Sequence, residues 1–61
     1  MEASELIKGN VYAFGAKKGF RILVIYLHET LNYRRFEDNL KTMILITDSA
    51  VENNIFEKDN L

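Results

Sequence analysis

The chain has 61 residues, of which 48% are hydrophobic and 28% charged; this composition predicts one folded domain over residues 1–61 and excludes a disordered protein. The net charge of -1 gives no overall preference for nucleic acid, and the absence of cysteine with a single histidine excludes disulfide bonds and a Cys/His zinc site. Because so short a chain buries only about 60% of its unfolded surface, we expect it to gain stability from self-association or from a partner.

The N-terminal segment, residues 1–8, leaves three structures open: a frayed lead-in, one turn of helix or an edge strand. Its acidic start lacks the basic and then apolar order of a secretory signal, and no apolar run approaches the ~20 residues of a membrane span. Together with the lack of cysteine, this predicts a cytoplasmic protein.

The next two elements predict a β-hairpin. Strand-favouring residues run from Asn10 to Phe14, and the apolar run FRILVIYL follows from Phe20 to Leu27. Five residues separate the two runs, with Gly15 and Gly19 at the ends of the loop. Glycine accepts the positive φ that a tight turn between antiparallel strands requires, so this spacing favours a hairpin with lysines at its tip.

The run FRILVIYL predicts the central strand of the sheet. In an extended chain, alternate side chains point to opposite faces. One face then carries Phe20, Ile22, Val24 and Tyr26, and the other carries Leu23, Ile25 and Leu27. Both faces are apolar, which is typical of a strand that is covered on both sides.

The segment HETLNYRRFEDNLK, residues 28–41, predicts a short helix. Tyr33, Phe36 and Leu40 recur at spacings of three and four residues, which places them on one helical face. Thr30 or Asn32 could cap its start, although two arginines in the first turn oppose the helix dipole.

The last third of the chain predicts a strand and a second helix. Thr42 to Thr47, TMILIT, is a short apolar run, and we expect this strand to lie beside the central one. Ser49 and Glu52 have the spacing of a capping box, which predicts a C-terminal helix of about two turns.

The predicted fold is therefore α+β: a small, mainly antiparallel sheet of three strands with two short helices, in the order ββαβα. The segment KGNVYAF, with the glycine-bounded loop and apolar strand after it, resembles the first hairpin of SH3-like small barrels. That resemblance covers a third of the chain and implies an all-β SH3-like barrel as the alternative fold.

Two short helices can cover only one face of such a sheet. Either the sheet curls into a barrel, or a second copy or a different protein covers the other face; we favour the second. We therefore expect a non-enzymatic interaction module that regulates or inhibits a protein partner, or forms a homodimer, as compact phage and mobile-element proteins do. The partner-binding residues predicted on the uncovered face are Leu23, Ile25, Leu27, Met43 and Leu45.

An alternative function is nucleic-acid binding. Cations interleaved with aromatic rings are typical of single-strand binding, and the cations that could serve are Lys17, Lys18, Arg21, Arg34 and Arg35. His28 and Glu29 are the only adjoining imidazole and carboxylate. Neighbours on a strand point to opposite faces, so they predict no catalytic pair, and we expect no enzyme activity, cofactor or metal site.

Overall fold

The computed structural model describes residues 1–16 and 19–58, which form an open, five-stranded antiparallel sheet with one α-helix and a 3-10 turn. The strands follow the spatial order β4-β3-β2-β1-β5. Their bounds, with those of the helix and the turn, are Ala3–Glu5 for the 3-10 turn, Val11–Gly15 for β1, Arg21–Glu29 for β2, Arg34–Asp38 for β3, Met43–Ile46 for β4, Asp48–Asn54 for α1 and Ile55–Glu57 for β5. The predicted three-stranded ββαβα fold with two helices is therefore wrong. The SH3-like barrel is wrong as well, because β4 and β5 are the two unpaired edges of the described sheet.

The predicted hairpin of the first two strands is confirmed. β1 and β2 pair antiparallel from Val11 opposite Ile25 to Gly15 opposite Arg21. Gly15 is required where the two strands meet, since a Cβ atom there would lie 2.5 Å from the carbonyl oxygen of Phe20. β2 is also the middle strand of the five, as predicted. Phe20 precedes β2 and is 84% exposed, so its predicted place on the buried face is wrong.

The predicted helix over residues 28–41 is wrong, because its middle forms strand β3. β3 pairs with β2 on one side and with β4 on the other, and Phe36 is completely buried between them. Tyr33 and Leu40, which were expected to share a helical face with Phe36, are exposed in the flanking loops. The strand pairing outweighs the weak local helical pattern, in which two arginines in the first turn already opposed the helix dipole.

A tight turn ends β3 and redirects the chain into β4. The Oδ1 atom of Asp38 accepts hydrogen bonds from the backbone N–H groups of Leu40 and Thr42, both at 2.9 Å. Lys41 has a φ of 63°, in the left-handed region that a helix does not contain. As a result, β4 lies beside β3 and not beside the central strand β2 as predicted.

Helix α1 begins two residues earlier than the sequence indicated. Its N-cap is Thr47, whose hydroxyl accepts from the Ala50 N–H, so the predicted capping box of Ser49 and Glu52 is wrong. The helix ends at Asn54, and the chain continues directly into the short edge strand β5, which was expected to belong to the helix.

The hydrophobic core lies between one face of the sheet and the two helical segments. The aromatic rings of Tyr26 and Phe36 meet at its centre with centroids 5.2 Å apart. The Tyr12 hydroxyl accepts from the Ile7 N–H at 2.9 Å, which holds the N-terminal segment against this core. Among the described residues, no helix is long and apolar enough to cross a membrane. The buried members of the core are Ala3, Tyr12, Val24, Tyr26, Phe36, Ile46, Val51 and Ile55.

Candidate functional site: the open face of the sheet

The face of the sheet opposite the helices, here called the open face, is the candidate functional site. Strand pairing defines its members, because residues directly opposite each other in the register share a face. Both helical segments pack on the other face, through Ala3 and Val51. The open face comprises Val11, Ala13, Arg21, Leu23, Ile25, His28, Arg35, Glu37, Met43, Leu45 and Phe56.

Large apolar side chains on the open face remain in contact with solvent. Leu23 is 44% exposed, Met43 53% and Leu45 49%, and Val11 is 38% exposed. Fully burying such a side chain contributes about 1.5–3 kcal/mol, so covering the exposed half of each would contribute about 1 kcal/mol. A partner that covered all four would therefore gain an amount comparable to the stability of a small domain.

Four of the five predicted partner-binding residues lie together on this face, and the fifth lies at a distortion. Leu23, Ile25, Met43 and Leu45 are on the open face. Leu27 is half-buried in the β-bulge between Tyr26 and His28, where the pairing of β2 with β3 shifts register. A bulge changes the direction of the side chains around it, and a regular alternation in the sequence does not predict that change.

A shallow apolar groove runs over the open face beside the end of β3. Val11, Leu23 and Ile25 form its apolar side, and Glu37 stands at its rim. Ala13 also lies on the open face. It is completely buried, because its register neighbours Leu23 and Phe56 flank it.

The open face also carries one cation and one anion on the same strand. Arg35 and Glu37 occupy alternate positions of β3, and both are half-buried among apolar neighbours. The Nε atom of Arg35 is buried and has no hydrogen-bond acceptor among the described residues. Among the described residues, the ion pairs found are those of Arg34. No described carboxylate therefore pairs with Arg35.

Arg34 lies on the opposite face of β3 and ties the sheet to helix α1. Its Nε atom donates to Asp48 Oδ1 at 3.0 Å, and its Nη1 atom donates to the Tyr26 hydroxyl at 3.1 Å. Nη1 is also 3.5 Å from Glu29 Oε2. The hydrogen bonds to Asp48 and Tyr26 raise the pKa of the Arg34 guanidinium above its usual value. Its contacts are those of a structural residue.

The cations predicted for nucleic-acid binding are therefore spread over different surfaces. Arg34 and Arg35 lie on opposite faces of β3. The Arg21 guanidinium stacks 3.9 Å from the centre of the Phe56 ring, and its Nε atom donates to the Ala16 carbonyl. Lys17 and Lys18 lie outside the described residues. The nucleic-acid hypothesis stays a prediction.

The structure shows local contacts around the one histidine. The Nδ1 atom of His28 is 3.0 Å from the backbone carbonyl oxygen of Glu29, its neighbour in β2. Within residues 1–16 and 19–58, no three or more histidine or acidic side chains come close enough together to hold a metal ion.

Comparisons with protein families, with curated proteins and with solved structures find no match to this chain. The open face itself is therefore the evidence for a function. Sequence reasoning missed Val11, Phe56 and Glu37, and it assigned Arg35 to the alternative nucleic-acid site instead of to this face. The signal for the charged pair was present as the alternation Arg35, Phe36, Glu37, which is polar, apolar, polar as in a half-buried strand.

Proposed function

We propose that the protein is a non-enzymatic interaction module that docks through its open face onto a protein surface and thereby regulates or inhibits that partner. The observation that carries the proposal is the exposure of Leu23, Met43 and Leu45 on one continuous face. An exposed apolar patch with polar side chains at its rim is typical of protein–protein contact sites. We place this docking in the cytoplasm, which is the compartment that the sequence predicts.

The arrangement of the face supports docking by apolar contact. The basic side chains on the open face are Arg21, stacked on Phe56, His28, opposite Arg35 in the register, and Arg35, which shares its strand with Glu37. A surface of this kind offers apolar area together with two guanidinium groups and one carboxylate. Its binding should therefore depend weakly on salt, because apolar contacts are screened little and charge contacts strongly.

The proposal is tested by capture of proteins from the native host on the immobilised chain. The test variant, Met43→Asp with Leu45→Asp, places two charges on the open face. The matched control, Leu31→Asp with Leu40→Asp, makes the same change at exposed leucines in the loops that flank β3. We expect the wild type and the control to retain a partner, which can be a second copy of the chain, and the test variant to lose it, with all three folded by circular dichroism.

Equal capture by the test variant and the control would refute docking through the open face. The same samples decide on the nucleic-acid hypothesis. Binding to single-stranded DNA that falls by orders of magnitude between low and moderate salt, and that survives the open-face substitutions, would favour that function instead.

A further inference from the structure

We propose that the occupant of the open face is a second copy of this chain, packed face to face about a two-fold axis that crosses the strands at the level of Phe36. This inference rests on the proposed function, since it names the partner of the same surface. The charges on β3, the register of β3 and β4, and the size of the face support it.

The charges on β3 are self-complementary in this arrangement. Arg35 and Glu37 flank Phe36 in sequence and project from the open face about 7 Å apart, which is two residues of a strand. A two-fold axis across the strands reverses the direction of β3 in the second copy. Each Arg35 then lies opposite the Glu37 of the other copy, so that one interface contains two reciprocal ion pairs. Each pair gives Arg35 the carboxylate that it lacks among the described residues of its own chain.

The apolar residues beside these charges match in the same way. In the register of β3 and β4, Arg35 lies opposite Leu45, and Glu37 lies opposite Met43. The axis that pairs the charges therefore also places Met43 of each copy opposite Leu45 of the other. Stacked sheets lie about 10 Å apart, a distance that arginine and glutamate side chains can bridge together from opposite sides.

The other simple face-to-face packing is unfavourable. A two-fold axis that is parallel to the strands and lies over β3 would preserve the level of each residue and set Arg35 against Arg35 and Glu37 against Glu37. Like charges in direct opposition disfavour an interface strongly. The charge pattern thus selects one of the two packings that place β3 over β3.

The size of the face sets the expected strength of the dimer. The molecule extends 30 × 24 × 15 Å, and its shortest dimension crosses the two layers. The broad face has an outline of about 700 Å², and an overlap of three of its five strands is roughly 400 Å² per partner, about half of the roughly 800 Å² per partner of a standard interface. Overlap centred on β3 covers β2, β3 and β4 and leaves β1 and β5 largely outside. We therefore expect a dimer that forms at micromolar concentration and dissociates on dilution.

The experiment reverses the two charges singly and together. Arg35→Glu and Glu37→Arg should each raise the dimer dissociation constant by about 100-fold or more, because both ion pairs become like-charge contacts. An equimolar mixture of the two single variants should recover the dimer as a heterodimer, since both contacts are then attractive. The double variant should recover it as a homodimer. Light scattering on the eluting protein measures the mass against the 7.1 kDa of one chain.

Control variants carry the same changes of net charge away from the contact. Glu52→Arg lies on α1, on the helical side of the sheet, and Lys58→Glu follows the edge strand β5. Both controls should dimerise like the wild type. Circular dichroism and thermal unfolding verify that each single reversal is folded.

The outcomes separate this inference from the proposed function. A wild type that stays monomeric to high micromolar concentration overturns the second copy as occupant, whereas the capture experiment then still decides on the docking face. A dimer that is unaffected by the single reversals forms through another surface and overturns the inference. Loss of the dimer in the single variants and its recovery in both the mixture and the double variant supports it.

Discussion

The substitution Asp38→Ala tests the strand and turn that replace the predicted helix. It should lower the free energy of unfolding if the turn is present and raise it if the segment is a helix. In the turn, one carboxylate oxygen accepts the backbone N–H groups of both Leu40 and Thr42 at 2.9 Å. Losing a side-chain acceptor of this kind costs about 1 kcal/mol at a helix N-cap, so two bonds in an exposed turn should cost about 1–2 kcal/mol. In a helix, alanine would instead be favoured by about 0.5 kcal/mol, and removal of an acidic residue near the C-terminus would add to that gain.

The measurement is urea unfolding followed by circular dichroism, with all proteins at the same chain concentration. A domain of 61 residues is expected to have a stability of about 3–9 kcal/mol, so the loss is easily resolved. In thermal unfolding, each kcal/mol should lower Tm by roughly 4–8 °C. Asp38→Asn is the matched control, because it keeps the accepting oxygen and should lose only a few tenths of a kcal/mol. An alanine variant as stable as the wild type, or more stable, would contradict the observed turn.

Five further substitutions test the core, the helix cap and the ion pairs. Phe36→Ala should lower the free energy of unfolding by about 3–5 kcal/mol and leave the protein largely unfolded by circular dichroism. Leu45→Ala should lower it by less than about 1 kcal/mol in the monomer. Equal losses would mean that the two faces are not distinguished by burial. Thr47→Ala should destabilise by about 1 kcal/mol and Ser49→Ala by only a few tenths in urea unfolding, and the reverse order would restore the predicted capping box. Arg34→Met should lower the free energy of unfolding by only about 0.5–1 kcal/mol, since the carboxylate partners of Arg34 are well exposed. The difference from the wild type should shrink in high salt. A loss that does not depend on salt would show that packing dominates.

The hairpin and the central strand could be predicted from the sequence because several local signals agree there. The run from Phe20 to Leu27 is β-branched and aromatic, it is too short for a typical helix, and a glycine-bounded loop connects it to another strand-favouring run. Where composition, length and turn chemistry all favour the same structure, tertiary contacts do not have to correct it.

Strand β3 could not be predicted in this way, because its local signals conflict. The spacing of Tyr33, Phe36 and Leu40 fits a helical face, and the alternation around Phe36 fits a strand equally well over five residues. The deciding information is the hydrogen bonding that β2 and β4 offer on either side, together with the turn at Asp38. Strand β5 has only three residues and owes its structure to the neighbouring edge of β1, which no local pattern contains.

The exposed apolar face follows from the number of layers in the fold. Part of the site could therefore be predicted correctly although the predicted topology was wrong. β2 and β4 are apolar on both faces, and the two helical segments are on one side of the sheet only. Any open sheet containing these strands leaves Leu23, Met43 and Leu45 on the other side, whether it has three strands or five. The charged pair behaves differently, because Arg35 and Glu37 share a face only when β3 is extended. The apolar part of the candidate site is thus a property of composition and alternation, whereas its proposed selectivity for a second copy depends on the one element that the sequence misassigned.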